Sequence, residues 1–262
     1  MTVDHTRYID VGFHNALDEE EVVRGWAKLL LFFSKEVYIL IDPDTTDNTE
    51  KILRDEFPQI HIRFQDLNLG DSNYYHQGPK KHLRMHMNST HFVNNEIKDG
   101  QWIFYFAADE RFHPDDLIKI NKTIKIAQEN NLDGVMIRKM KEFLTETECV
   151  ELSKYFTVTQ SKFFKKPTQK WIHNPKPHSG MSWFPSRKKR KDLFVPLYHY
   201  PQYKNKQKLW DNWVYKGYNT TFKRLQKKFG IIPLHTPSKP ILKWKEYPYL
   251  NNEGKLIKEE NE

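Results

Sequence analysis

The sequence predicts an α/β fold: a mostly parallel, twisted sheet with helices on both faces, followed by an irregular C-terminal extension. Three observations predict it. Short apolar runs alternate, through residues 8–137, with segments whose apolar residues are spaced as on one face of a helix. The runs at 37–41 (VYILI) and 102–107 (WIFYFA) are apolar throughout, as in strands covered on both faces. Beyond about residue 140 the periodicity weakens, while Lys, Pro and aromatic residues accumulate.

Taken in order, residues 8–12 (YIDVG) read as a first strand, broken by the acidic segment FHNALDEEE. Asp18 and Glu21 have capping-box spacing. Val22, Trp26, Leu29, Leu30 and Phe33 then share one helical face. After the strand at 37–41, Asp47 and Glu50 form a second candidate box, opening a helix with Ile52, Leu53 and Phe57. Residues 60–64 (IHIRF) alternate as a strand, and 79–97 read as a helix with Pro in its first turn. The strand at 102–107 follows. His113-Pro114 then opens a helix carrying Leu117, Ile120, Ile124 and Ala127, and 134–137 form another strand. Such a β-α-β order implies parallel strands whose ligands sit beyond their carboxyl ends. His14 and Asn15, Asp42 and Asp44, and residues 107–110 are therefore expected to converge.

This organisation divides the chain into an α/β half at 1–139, a second, less regular half of the same domain at 140–250, and a frayed charged tail at 251–262. With 262 residues and 14% aromatics, the chain can bury a full core. A single cysteine, Cys149, excludes an internal disulfide framework and suits a reducing compartment. The first residues lack the basic-then-apolar order of a signal peptide, and the longest apolar stretch, 29–33, is too short to span a bilayer. The expectation is a soluble, cytoplasmic protein. A formal charge of +8 makes anionic partners plausible and says little about fold.

Two segments carry chemistry. In VYILIDPDTTDNTEKIL, Asp42 and Asp44 leave a buried strand at the end where carboxylates accept hydrogen bonds from a nucleoside, while Asp47 suits a helix cap. In WIFYFAADERFHPDDL, six apolar residues deliver Ala108, Asp109 and Glu110 to the sheet edge. Acidic groups held there suit a hard divalent cation that bridges to phosphates.

Together, in this order and strand context, the two segments resemble the family-two glycosyltransferases of the GT-A fold. The first hallmark is the Asp-rich turn and helix start Asp42-Pro43-Asp44-Thr45-Thr46-Asp47-Asn48-Thr49. The second is the Asp-x-Asp-like Ala107-Ala108-Asp109-Glu110. The likeness covers roughly residues 8–137. It implies that Asp42 contacts the nucleotide base, and that Asp109 binds Mn²⁺ or Mg²⁺ on the diphosphate, with Ala108 beside it. Ala107 stands where the family's motif has its first aspartate, so that carboxylate's contacts are absent. In similar enzymes a late histidine, often in a His-Tyr pair before basic residues, returns to the metal or diphosphate. Here that is His199-Tyr200, followed by Lys204, Lys206 and Lys208. Arg84 resembles the basic residue that such enzymes place near the diphosphate. For an inverting transfer, the carboxylate taking the acceptor's proton has two candidates, Asp192 and Glu142.

The expected activity is transfer of a sugar from a nucleotide-diphosphate sugar to an acceptor hydroxyl. The acceptor classes are a glycan, a lipid-linked saccharide or a hydroxylated DNA base, the last suiting the positive charge. The basic run at 187–191 (RKKRK), with Trp171, Trp183, Phe184, Trp210 and Trp213 around it in sequence, belongs on that acceptor side if it binds a polyanion. Two rivals are a sugar nucleotidyltransferase, whose Gly-rich basic loop after the first strand is absent, and a non-catalytic nucleic-acid-binding protein.

Overall fold

The computed structural model describes residues 6–66, 80–105, 107–143, 149–151, 160–168, 189–200, 227 and 245–257. The chain runs β1 (Ile9–Ala16), α1 (Val23–Phe33), β2 (Ser34–Ile41), α2 (Thr49–Glu56), β3 (His61–Phe64), α3 (Lys80–Asn95), β4 (Trp102–Tyr105) and β5 (Glu110–Phe112). A 3₁₀ turn at Pro114–Asp116 leads into α4 (Leu117–Glu129), followed by β6 (Gly134–Phe143), β7 (Cys149–Glu151), β8 (Gln160–Lys165) and β9 (Arg190–His199). The α/β class is as the periodicity predicts.

One sheet holds all nine strands, in the order β3-β2-β1-β4-β8-β6-β9-β5, with β7 paired to β6. Strands β1 to β4 are mutually parallel, and β9 is parallel to β6. The second half of the chain supplies β8, which runs antiparallel between β4 and β6 and completes the sheet. It is thus built into the centre of the architecture, where an irregular extension was expected.

Helices cover both faces. Val11, Phe13 and Ile103 meet Phe92, Val93 and Ile97 of α3 and its C-terminal end on one side. Ile39 and Phe104 meet α1, α2 and α4 on the other. Neighbouring residues of a strand thus serve opposite faces, Ile39 against Leu40 in β2 and Ile103 against Phe104 in β4. Among the described residues, α1 is the most buried helix, with Trp26, Leu29, Leu30 and Phe33 enclosed; Phe33 packs edge-on to Phe104, Phe112 and Phe163.

Three local expectations change. β1 continues to Ala16, so His14 and Asn15 lie inside the strand, paired with Ile39 and Leu40. Asp18 does not cap α1: at φ 50° it turns back and accepts from the Thr46 amide at 2.7 Å, while the Glu19 carbonyl receives the Val22 and Val23 amides. Asp47 does act at a helix start, accepting from the Thr49 amide at 2.9 Å, but Glu50 pairs with Arg54 and closes no box.

Through Ile257, the segment expected to fray is packed. Residues 245–257 form a strap along α1. The Gly25 amide donates to the Lys245 carbonyl, Tyr247 is buried with its hydroxyl on the Phe112 carbonyl, and Leu250 is fully enclosed. Gly254, at φ +75°, sits where a Cβ would lie 2.5 Å from backbone atoms of Leu31 and Phe32. A side chain would force strap and helix apart. Among the described residues, no helix is long and apolar enough to cross a membrane.

Candidate functional site

The carboxyl ends of β1, β2 and β3 face the polar side of α3. Asp42 leaves β2 only 2% exposed, its amide held by the Ala16 carbonyl. Arg84 of α3 grips its carboxylate with Nε at 3.0 Å and one Nη at 2.6 and 2.9 Å, and the same Nη reaches Asp44 Oδ2 at 2.7 Å. Burial works against the guanidinium's charge, but the hydrogen bonds it donates to Asp44 and Asp42, together with their negative charges, outweigh it and raise the Arg84 pKa.

Polar residues one and two turns along fasten the rest of the helix. Asn88 closes a ring with Asp66, accepting from its amide at 2.8 Å and donating to its carbonyl at 3.1 Å. Asn15 donates to Ser89 Oγ at 2.7 Å, and Gln65 spans from the Leu40 carbonyl to Asn15. Three of the residues expected to face a nucleotide, Asp42, Asp44 and Arg84, therefore share one cluster, and Asn15 joins it through Ser89. His14 does not. Its Nε2 meets Glu19 at 2.7 Å, both groups buried, and its ring packs on Trp26. His14 holds the β1–α1 connection, since a buried carboxylate needs such a partner.

Two strand spacings away, about 10 Å across the sheet, β4 leads to the turn carrying the second cluster. Asp109 Oδ2 lies 3.4 Å from His199 Nε2, with side-chain exposures of 18% and 10%. The two residues, ninety positions apart in sequence, meet because β5 pairs antiparallel with the end of β9, setting Glu110 opposite His199. The Tyr200 amide donates to the Asp109 carbonyl at 2.7 Å, locking that crossing.

The neighbouring acid has a different task. Glu110 is buried, takes the Ala107 amide on its own carboxylate at 3.1 Å and pairs with Lys162 of β8 at 2.6 Å. Ala108 is fully buried beneath the turn. Arg111, also fully buried, donates to the carbonyls of Ala108 at 2.7 Å, Glu110 at 2.6 Å and Val22 at 3.1 Å. Burial lowers its pKa to about 10, against the opposing pull of Tyr200, Tyr247, Asp109 and Glu19.

The two candidates for the base separate. Glu142 of β6 is the register partner of His199, on the strand beside it. Asp192 lies seven residues before His199 in the same strand, so about 20 Å away along it. There it meets Arg138 at 2.9 Å and Arg190 at 3.6 Å. The structure does not bring Asp192 to the Asp109 end. Lys189–Lys191, the described part of the basic run, lie at the start of β9, at that far end as well. Lys204, Lys206, Lys208 and the tryptophans at 171, 183, 210 and 213 lie outside the described residues.

Sequence reasoning missed Glu19, Lys162 and Arg111. For Arg111 one signal was available: a lone cation between Glu110 and Phe112, close after the apolar run at 102–107.

The donor set at Asp109 and His199 is one carboxylate oxygen and one imidazole nitrogen. Such a mixed pair fits Mn²⁺ better than Mg²⁺, which favours oxygen throughout. Among the described residues, no group of three or more His, Cys, Asp or Glu side chains could hold a metal. Any ion here would take most of its ligands from a diphosphate and water.

The sequence matches no protein-family profile and no curated protein. Among solved structures, the chain is similar to a 4-diphosphocytidyl-2C-methyl-D-erythritol synthase, at 11% identity and a TM-score of 0.36, covering 60% of this chain and 75% of that one. It is similar to the inositol-1-phosphate CTP transferase from T. maritima, at 10% identity and a TM-score of 0.28, covering 61% and 69%. It is also similar to a mannose-6-phosphate isomerase from Helicobacter pylori, at 12% identity and a TM-score of 0.31, covering 61% and 62%. Likeness at this level adds nothing to the chemistry, which rests on the residues of the site.

Proposed function

We propose that the chain is a glycosyltransferase that moves a sugar from a nucleotide-diphosphate sugar to an acceptor hydroxyl. The observation that carries this reading is the meeting of Asp109 and His199, 3.4 Å apart, beyond the carboxyl end of β4. The Asp42–Arg84–Asp44 cluster lies at the carboxyl end of β2, two positions from β4 in the sheet. The nucleoside lies against Asp42 and Arg84, and the diphosphate reaches toward Asp109. Bound there, Mn²⁺ would supply Lewis-acid neutralisation of the charge that develops on the departing diphosphate. Asp109 and His199 orient that end of the donor. Glu142, beside His199 in register, is the better placed candidate for taking the acceptor's proton in an inverting transfer. Asp192 has no part in this arrangement.

A sugar nucleotidyltransferase is the nearest competing enzyme class. The β1–α1 connection argues against it: Asp18, Glu19 and Glu20 occupy it and are tied to Thr46, His14 and Asn48. An acidic loop there repels the triphosphate that such an enzyme must hold.

The test is a panel of nucleotide sugars with Mn²⁺, scored for binding and slow donor hydrolysis. A parallel panel pairs nucleoside triphosphates with sugar phosphates and is scored for pyrophosphate release. Donor hydrolysis that Asp109→Ala abolishes supports the proposal. Pyrophosphate release would reassign the chain to the nucleotidyltransferases. Salt-steep nucleic-acid binding without either reaction would make it a binding protein.

A further inference from the structure

We propose that Arg111 is the positioning residue of the Asp109 turn: its buried guanidinium clamps the carbonyls of Ala108, Glu110 and Val22 and so holds the Asp109 carboxylate against His199. What the turn grips rests on the function proposed above. How the turn is held does not.

Each backbone carbonyl of residues 107–110 has a donor: the Glu110 amide for Ala107, Arg111 for Ala108, the Tyr200 amide for Asp109, and Arg111 again for Glu110. With all four carbonyls held, the backbone that carries the Asp109 side chain toward His199 is fixed. Two of the four holds come from a single side chain.

A charged group is an expensive means of filling this space. Arg111 is 0% exposed. An apolar residue of similar volume commonly serves as well or better where packing alone is required. What an apolar residue cannot supply is a rigid planar fork whose N–H groups point in fixed, divergent directions. Here one Nη binds both carbonyls of the turn and the other binds Val22 at the start of α1. The turn is thereby referenced to the most buried helix. That helix is braced in its turn by the Glu19 carbonyl and by the strap at Lys245. Tyr247 of the strap holds a carbonyl two residues beyond the turn, that of Phe112. It provides a control, because it buttresses β5 without touching the turn.

The experiment compares Arg111→Met, Arg111→Lys and Tyr247→Phe with the parent. Amide hydrogen exchange is read at Glu110 and Tyr200, against Phe13 and Ile39 in the central strands. Affinity for Mn²⁺ with nucleoside diphosphates is read from the spectrum of bound Mn²⁺. Arg111→Met is expected to lose protection at Glu110 and Tyr200 by at least about tenfold more than at Phe13 and Ile39. It is expected to bind Mn²⁺ with nucleotide about 10- to 100-fold more weakly, as when an outer-shell partner is removed. Arg111→Lys, which keeps the charge and loses the fork, falls between; two variants differing in charge guard against one failing to fold. Tyr247→Phe lowers the melting temperature and moves neither local readout. Uniform loss of protection, or parental protection at Glu110 and Tyr200 in both Arg111 variants, overturns the proposal. If the parent binds no Mn²⁺ with any nucleotide, the proposed function fails, and the exchange result still decides whether Arg111 holds the turn.

Discussion

Asp42→Asn tests the most tightly coupled part of the nucleotide-facing cluster. The substitution is nearly isosteric, so volume is not at issue. The carboxylate is 2% exposed and takes three hydrogen bonds from Arg84. The amide keeps one acceptor oxygen and turns a donor toward a guanidinium that has only donors. Removing one partner of a buried ion pair costs about 3–5 kcal/mol. Here Arg84 keeps Asp44, whose side chain is 47% exposed, so part of its charge stays neutralised. The expected loss is about 2–3 kcal/mol. Arg84→Met strands the Asp42 charge in the same way. Starting from either single variant, the second substitution then costs little. The assay is urea unfolding of the parent, both single variants and the double variant, read as midpoint shifts at constant slope. A coupling of at least about 1.5 kcal/mol is expected. A coupling below about 0.5 kcal/mol would show that the pair is not a unit, and the placement of α3 by Arg84 would be wrong.

The adjacent acids of the Asp109 turn have opposite phenotypes. Glu110→Gln leaves the buried Lys162 charge without its carboxylate and is expected to cost about 3 kcal/mol in urea unfolding. Asp109→Ala is expected to stay within about 1 kcal/mol of the parent while abolishing donor hydrolysis; equal stability losses at both positions would contradict the division of labour. Gly254→Ala combines a left-handed backbone with a 2.5 Å approach to Leu31 and Phe32 and is expected to cost about 2–4 kcal/mol, visible as a lower melting temperature; an unchanged one would mean that the strap does not pack on α1. Alkaline titration reads the buried tyrosines. Burial pushes Tyr198 up to about 12 and also raises Tyr200 and Tyr247. The folded state therefore keeps these protons while the unfolded chain releases them above pH 10. Their stabilisation is complete below pH 10 and is lost as pH rises toward 12, by up to about 1.4 kcal/mol per pH unit for each tyrosine. Arg111, with its pKa lowered to about 10, works the other way, since above pH 10 the unfolded chain holds the extra proton. One arginine offsets only part of three tyrosines. Net destabilisation is expected, with phenolate absorbance rising together with unfolding; phenolate formation at those residues in the folded state would refute it.

The parts legible in the sequence were those written in long apolar runs. VYILI and WIFYFA announce central strands, and acids directly after such strands must emerge at the ligand-binding edge, which is where Asp42 and Asp109 stand. His199 was legible for the same reason, as the end of FVPLYHY. The start of that strand was not, because the charged residues Arg190, Lys191 and Asp192 extend β9 backward along a partly exposed edge where no apolar pattern is needed. That hidden extension is why Asp192, a candidate for the base from sequence, stands about 20 Å from His199 along the strand. β8 (QSKFFK) was invisible because it is short, and its Lys162 looks like a solvent-facing residue although it is buried against Glu110. Antiparallel insertion of a strand between β4 and β6 leaves no trace in periodicity. His14 was misread for a simpler reason: β1 continues past the glycine at 12, so His14 stays within the strand and is held by Glu19.

The most direct test of the central claim is a calorimetric titration of Mn²⁺, with and without nucleoside diphosphates, into the parent, Asp109→Ala and His199→Ala. With two protein ligands at most among the described residues, the parent is expected to bind Mn²⁺ weakly alone and at least about tenfold more tightly with the matching diphosphate. Both variants should lose that enhancement. Equal Mn²⁺ and diphosphate affinities in all three proteins would contradict the assignment of Asp109 and His199 to a metal–diphosphate.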